Sequence, residues 1–256
     1  RFAGQRIGIY TRFISMTNRT ASTWLCNMLD LAGPGYTSGE WMGPRNRLSP
    51  FDRDDPKSVS DQWLNLQRID AGVTKNLVVK LNYPQFTKFI PQSDQIDPEH
   101  RFVFLTRDNK VEQAISQFAL ELTAKGQSLT LKSLDPERIT GLVAIFEKSN
   151  AQWAKWYAEN GTQPYVLSYE EMRARPKQHV AGILKHFGDD DFVNSEQFAA
   201  LPEKGLEVSN PVNKLTYRTV WVAAMDRYMK NDPDWHHELD VDVPHDVFID
   251  RSLAEK

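Results

Sequence analysis

The chain has 256 residues, a formal net charge of −3, 40% hydrophobic and 25% charged residues. That apolar share excludes a disordered chain, and the slightly acidic balance argues against broad binding to nucleic acid or anionic membrane. No apolar run reaches membrane-spanning length, no signal peptide is visible, and the one cysteine, Cys26, rules out an intrachain disulfide and fits the cytoplasm as the expected compartment.

Arg6 to Ser15 alternates apolar and polar residues and is predicted as a strand. Ala21 to Ala32 has helical spacing, with Trp24, Leu25, Met28, Leu29 and Ala32 on one side, and Gly33, Pro34 and Gly35 end it. Residues 35 to 62, rich in Gly, Pro, Asp and Arg, are expected to form one long ordered loop of the functional kind. Asn76 to Leu81 and Arg101 to Leu105 read as short buried strands. Asn109 to Lys125 reads as a helix with Val111, Ala114, Ile115, Phe118 and Leu122 inward. Pro136 to Glu159 is a long helix, Tyr165 to Ser168 a strand, and Lys177 to Phe187 a helix closed by Gly188. Asp189 to Thr219 has no regular period, and Val220 to Lys230 is the last predicted helix.

Strands alternating with helices imply a central, mostly parallel sheet covered on both faces. No Gly/Ser/Pro-rich linker divides the chain, so residues 1 to 256 are expected to form a single domain. Ligands of such sheets bind beyond the carboxyl ends of the strands. Two polar turns, at residues 15 to 23 and 106 to 110, follow strands and are expected to face one crevice.

The first turn, Asn18-Arg19-Thr20-Ala21-Ser22-Thr23-Trp24, enters a helix. Unpaired N–H groups and the positive end of the helix dipole make such an entrance an anion site. Three hydroxyls and an arginine add to it, whereas simple capping by Ser22 or Thr23 would account for one hydroxyl alone. A nucleoside-triphosphate loop of the Walker type is excluded, because its glycines and lysine are missing. In the second turn, Thr106-Arg107-Asp108 leads into a helix that carries Ser116 nine residues after Arg107. A guanidinium and a hydroxyl suit a dianionic phosphate. The alternative is that Arg107 pairs with a nearby carboxylate and Ser116 is a small packing residue.

Taken together these segments resemble sulfotransferases that use 3′-phosphoadenosine-5′-phosphosulfate (PAPS). Arg19-Thr20-Ala21-Ser22-Thr23-Trp24-Leu25 lies between the Pro-Lys-Ser-Gly-Thr-Thr-Trp-Leu loop of animal cytosolic members and the Arg-Ser-Gly-Ser-Thr-Leu-Leu loop of the bacterial trehalose sulfotransferase-like family. Ala21 stands where both have glycine. Val79-Lys80-Leu81-Asn82-Tyr83-Pro84-Gln85, Gln113-Ala114-Ile115-Ser116, Gln152-Trp153-Ala154-Lys155-Trp156-Tyr157 and Val166-Leu167-Ser168-Tyr169-Glu170 resemble further segments of the bacterial family. The resemblance implies a three-layer, P-loop-like α/β fold. It implies a 5′-phosphosulfate loop at Arg19, Thr20, Ala21, Ser22, Thr23 and Trp24, and a 3′-phosphate pair at Arg107 and Ser116. Trp24 then contacts the adenine ring, unless it is ordinary core packing.

The resemblance also bears on the base that accepts the acceptor's proton. Asn82 stands where animal members carry their catalytic histidine. The bacterial enzyme's glutamate matches Glu40, in Gly39-Glu40-Trp41-Met42, which makes Glu40 the expected base, with Arg19 and Lys80 balancing charge. The implied acceptor is a carbohydrate or glycolipid hydroxyl and the implied product is 3′-phosphoadenosine-5′-phosphate (PAP). No metal is expected, since His236-His237 with Glu238 and Asp240 matches no common zinc spacing. Rival readings are a nucleotide-dependent kinase and a non-catalytic nucleotide-binding module. Trp153, Trp156 and Tyr169 are expected in the core, and the neighbours Glu170 and Glu171 are not expected to converge as an acid–base pair.

Overall fold

The structure is a computed structural model that describes residues 12–32, 37–39, 77–89, 100–129, 133 and 135–203. These fall into two compact units. One takes the chain through Asp108 and again from Phe146, and the other comprises Asn109–Ile145.

The first unit is built on five parallel strands: β1 (Arg12–Met16), β2 (Thr37–Gly39), β3 (Leu77–Asn82), β4 (Arg101–Thr106) and β5 (Tyr165–Ser168). Their order across the sheet is β2-β3-β1-β4-β5. Helix α1 (Ser22–Ala32) follows β1, α2 (Tyr83–Phe89) follows β3, and α3 (Lys110–Ala124) follows β4. Then come α4 (Pro136–Glu159), α5 (Tyr169–Ala174) after β5, α6 (Pro176–Phe187), a 3₁₀ turn at Asp190–Asn194 and the short α7 (Glu196–Ala199). Among the described residues no helix is long and apolar enough to cross a membrane.

Because side chains alternate across a strand, the central strands β1, β3 and β4 each feed two cores. Ile14, Met16, Val78, Val103, Leu105 and Leu167 pack with Leu25 and Leu29 of α1 and with Val180, Ile183 and Leu184 of α6. On the other face Phe13, Val79, Leu81, Phe102 and Phe104 pack with Phe86 of α2 and with Trp153 and Tyr157 of α4. Burying each of these large side chains contributes roughly 1.5–3 kcal/mol against the entropy of ordering the chain. The result is a three-layer α/β fold. Trp153 is fully buried and Trp156 packs against the same aromatic cluster, as expected from the sequence. Within that core the Ser15 hydroxyl donates to the Val103 carbonyl at 2.9 Å and also bonds the Tyr157 hydroxyl. Burial raises the Tyr157 phenol far above its usual range.

Local chemistry sets the ends of the helices. Pro176 opens α6, and Gly188, with φ of 79°, closes it by returning its N–H to Lys185. Ser168 and Glu171 form a reciprocal capping box at the start of α5. In the second unit Asn109 caps α3 by accepting the Glu112 amide at 2.9 Å. There Val111, Ala114, Ile115, Phe118 and Leu122 form the buried face of α3, as the spacing predicts. Arg138 of α4 donates to Glu121 of α3 through Nε at 3.0 Å and Nη2 at 2.8 Å, which holds the Glu121 carboxylate below its usual range.

Several expectations need correction. Thr37–Gly39, read as part of a long loop, is an edge strand paired with Leu77–Val79. It holds its place through backbone pairing, which a run of Thr, Ser and Gly does not announce. Helices α2 and α5 were not expected as separate elements, and residues 189 to 203 carry a 3₁₀ turn and a short helix. Arg6 to Thr11, residues 40 to 62 of the expected loop, and the helix expected at Val220 to Lys230 lie outside the described residues.

Candidate active site

The carboxyl ends of β1, β3 and β4 stand level, because Met16 pairs with Asn82 on one side and with Leu105 on the other. The chain leaves β1 through α1 toward β2 and β3, whereas the chain leaving β4 returns at β5 on the opposite side. A parallel sheet opens a crevice where neighbouring strands send their connections in opposite directions, here between β1 and β4. Both turns singled out in the sequence open there.

The loop after β1 has an unusual backbone. Arg19 has φ of 65° and Ala21 φ of 58°, the left-handed region that glycine occupies freely and other residues enter at a cost of about 1–2 kcal/mol. Ala21 thus holds under strain a conformation that a glycine at this position would hold freely. The Ala21 carbonyl accepts the first intrahelical bond, from the Leu25 amide at 3.1 Å. The amides of Ser22, Thr23 and Trp24 therefore form the open, electropositive end of α1. Thr20 is fully buried and its hydroxyl donates to the Thr17 carbonyl at 3.0 Å, so it shapes the loop from inside. Ser22 is buried and Thr23 exposed. Trp24 is half-buried against the core between the sheet and α1, in line with the packing alternative.

Lys80 lies on β3 with its side chain on the α1 face, the same face as Val78. It is only 5% exposed, yet its Nζ donates to Thr23 Oγ1 at 2.9 Å. A buried ammonium is thereby brought to the first turn of α1. Two residues on, Asn82 forms a reciprocal cap with Gln85: the Gln85 amide donates to Asn82 Oδ1 at 3.0 Å, and the Asn82 amide to Gln85 Oε1 at 2.9 Å. Asn82 starts α2 and carries no proton-accepting chemistry.

Arg107 follows β4 and points back to the first loop, with Nη1 donating to the Arg19 carbonyl at 3.4 Å. Its guanidinium carbon lies 4.6 Å from the centre of the Tyr169 ring, and its Nε stands 3.8 Å from Glu170. The carboxylate alternative raised from the sequence is thus present, as a loose contact. Ser116 is half-buried on α3, in the second unit. Cys26 is buried in α1 as packing.

A family model described as Stf0 sulphotransferase matches residues 58–209. The chain belongs to the Stf0 sulfotransferase family. It is a transferase, and sulfuryl transfer is its class of reaction. No curated protein matches the chain. The matched stretch contains Lys80, Asn82, Arg107, Ser116, Tyr169 and Glu170, while the loop from Arg19 to Trp24 and Glu40 precede it.

The structure brings Arg19, Thr20, Ala21, Ser22, Thr23, Trp24, Lys80 and Arg107 to one edge of the sheet. Glu40 lies outside the described residues, as do His236 and His237. Sequence reasoning missed the part played by Tyr169 and Glu170 beside Arg107. A signal was available in Ser168-Tyr169-Glu170-Glu171: the Ser-x-x-Glu spacing commits Glu171 to the helix cap and leaves Glu170 to face elsewhere.

Proposed function

We propose that the protein moves the sulfuryl group of PAPS to a hydroxyl on a carbohydrate or glycolipid acceptor and releases PAP. The observation that carries this reading is the left-handed backbone at Arg19 and Ala21, which opens the first turn of α1 beside the buried Lys80 and opposite Arg107. Strained backbone of this kind persists where the surroundings over-determine it, and sites for anions are one such place. The donor supplies an activated sulfuryl group on a good leaving phosphate.

The chain's own residues then have distinct tasks. The amides of Ser22, Thr23 and Trp24, with Thr20 shaping the loop, hold the 5′-phosphosulfate end. Arg19 and Lys80 offset the negative charge that grows on the leaving oxygens. Arg107 binds the 3′-phosphate, and Ser116 enters as its hydroxyl partner on the family's sequence spacing alone. Glu40, by the same resemblance, takes the proton from the acceptor hydroxyl. Both units belong to one sulfotransferase domain on this reading, supported by a family match that runs unbroken through Asn109–Ile145. A cytoplasmic location is proposed with it.

Incubation with radiolabelled PAPS and a panel of glycans, with EDTA present, is expected to label an acceptor and release PAP. Phosphoryl transfer from magnesium-ATP in its place would overturn the reading. Glu40→Gln is expected to lower kcat on that acceptor by about 10²–10⁴ while PAP affinity stays within twofold. An unchanged kcat would remove Glu40 from the role of base.

A further inference from the structure

The adjacent glutamates at the end of β5 do different things. Glu171 accepts the Ser168 amide at 2.9 Å and closes the cap of α5. Glu170 reaches toward the turn after β4, where its Oε2 accepts the Asp108 amide at 2.9 Å and its Oε1 stands 3.8 Å from Arg107 Nε. The register pair Thr106–Ser168 sets Arg107 and Tyr169 side by side just past the sheet edge. Arg107 is held from three directions: the Tyr169 ring against its face, Glu170 at its Nε edge, and the Arg19 carbonyl at Nη1. Its side chain is only 11% exposed, so this arrangement stands clear of most competing water.

We propose that Glu170 is a positioning residue for Arg107, fixing the guanidinium in one orientation before the nucleotide arrives. The proposal rests on the reading of Arg107 as the ligand of the donor's 3′-phosphate. An arginine loses rotamer freedom when it grips an anion, and a side chain already held loses less, so pre-orientation tightens binding. Glu170 also exerts an opposing effect, because a carboxylate near the site repels an incoming phosphate. At 36% side-chain exposure that repulsion, acting over the longer distance, is screened more than the 3.8 Å contact with the largely buried Arg107. The two effects have opposite signs, so the sign of the change in PAP affinity shows which prevails.

The test is calorimetric titration of the full chain with PAP and with AMP, for the wild type, Glu170→Ala, Glu170→Gln, Arg107→Ala and the double Ala variant. Glu170→Ala is expected to weaken PAP about fivefold or more, a coupling typical of groups in contact, and to leave AMP unchanged. Glu170→Gln keeps an oxygen for the Asp108 amide but turns an NH2 toward the Arg107 Nε–H, so it is expected to weaken PAP much as Glu170→Ala does. In the Arg107→Ala background the Glu170→Ala change should cost nothing further. If Arg107→Ala discriminates against PAP but Glu170→Ala leaves PAP unchanged, tightens it, or weakens AMP equally, Glu170 is no positioning residue. If Arg107→Ala itself weakens PAP and AMP alike, the 3′-phosphate assignment falls and takes the proposal with it.

Discussion

Ala21 shows what a single residue both hides and does. Nothing in its side chain announces the left-handed backbone it adopts, with φ of 58°, although it stands where the loops it resembles carry glycine. Replacing it with glycine relieves about 1–2 kcal/mol of strain and adds freedom to the unfolded chain worth about 0.4–1 kcal/mol, so the relief prevails. Ala21→Gly is therefore expected to raise the melting temperature slightly and to keep its PAP affinity. Ala21→Val, with a branched side chain that tolerates this region poorly, is expected to lose at least about 1 kcal/mol of stability and most of its PAP binding. A valine variant that binds PAP normally would show that the loop's backbone does not shape the nucleotide site. Arg107 and Lys80 were legible as candidate charges, but their environments were not. The burial of Lys80 follows from strand alternation, and the clamp on Arg107 follows from a register between β4 and β5 that no spacing in the sequence encodes.

Elements with strong period or strong punctuation were legible. Helix α4 opens on Pro136 and ends before Gly161, so both its ends could be read, whereas for α6 Gly188 marks the end and the start, expected at Lys177, lies at Pro176. β2 could not, since its three residues take their strand form from a partner some forty positions away. For α2 the signature is Asn82-x-x-Gln85, whose reciprocal cap starts the helix, and it lies within a segment that the sequence assigns only by family likeness. Helix α6 also carries a titrating pair that packs against β5. The Tyr165 hydroxyl lies 3.1 Å from His179 Nδ1, and the Tyr165 ring lies 6.1 Å from that of His186. Burial lowers both histidines below the ordinary imidazole range; Arg175 adds to this at His179 and Arg101 at His186, while Glu171 and the Phe102 backbone oppose it. In the window below about pH 6.5 the unfolded chain takes up protons on these histidines before the folded chain does, so stability falls as pH drops. Melting temperature is expected to decline between about pH 7 and pH 5.5, and His179→Gln with His186→Gln should flatten that decline. An undiminished slope in the double variant would assign the acid sensitivity to other groups.

At the scale of the molecule, the alternation of strands and helices was enough to predict a parallel three-layer fold, and the sheet order then explains why two turns far apart in sequence open at one crevice. The order itself was not legible, because apolar strands of four to six residues do not state which neighbour they pair with. Yet it is the order that puts β1 and β4 side by side and makes Arg19 and Arg107 neighbours. The central claim is that this crevice is built for a nucleotide carrying a 3′-phosphate and a sulfated 5′-phosphate. Calorimetric titration of the wild-type chain with PAP, AMP and magnesium-ATP tests it most directly. The account predicts that PAP, titrated with EDTA present, binds at least about tenfold more tightly than AMP in the same buffer or magnesium-ATP in a magnesium buffer without EDTA, the difference expected from one charge-assisted phosphate contact. Binding of magnesium-ATP as tight as that of PAP, or tighter, would contradict it.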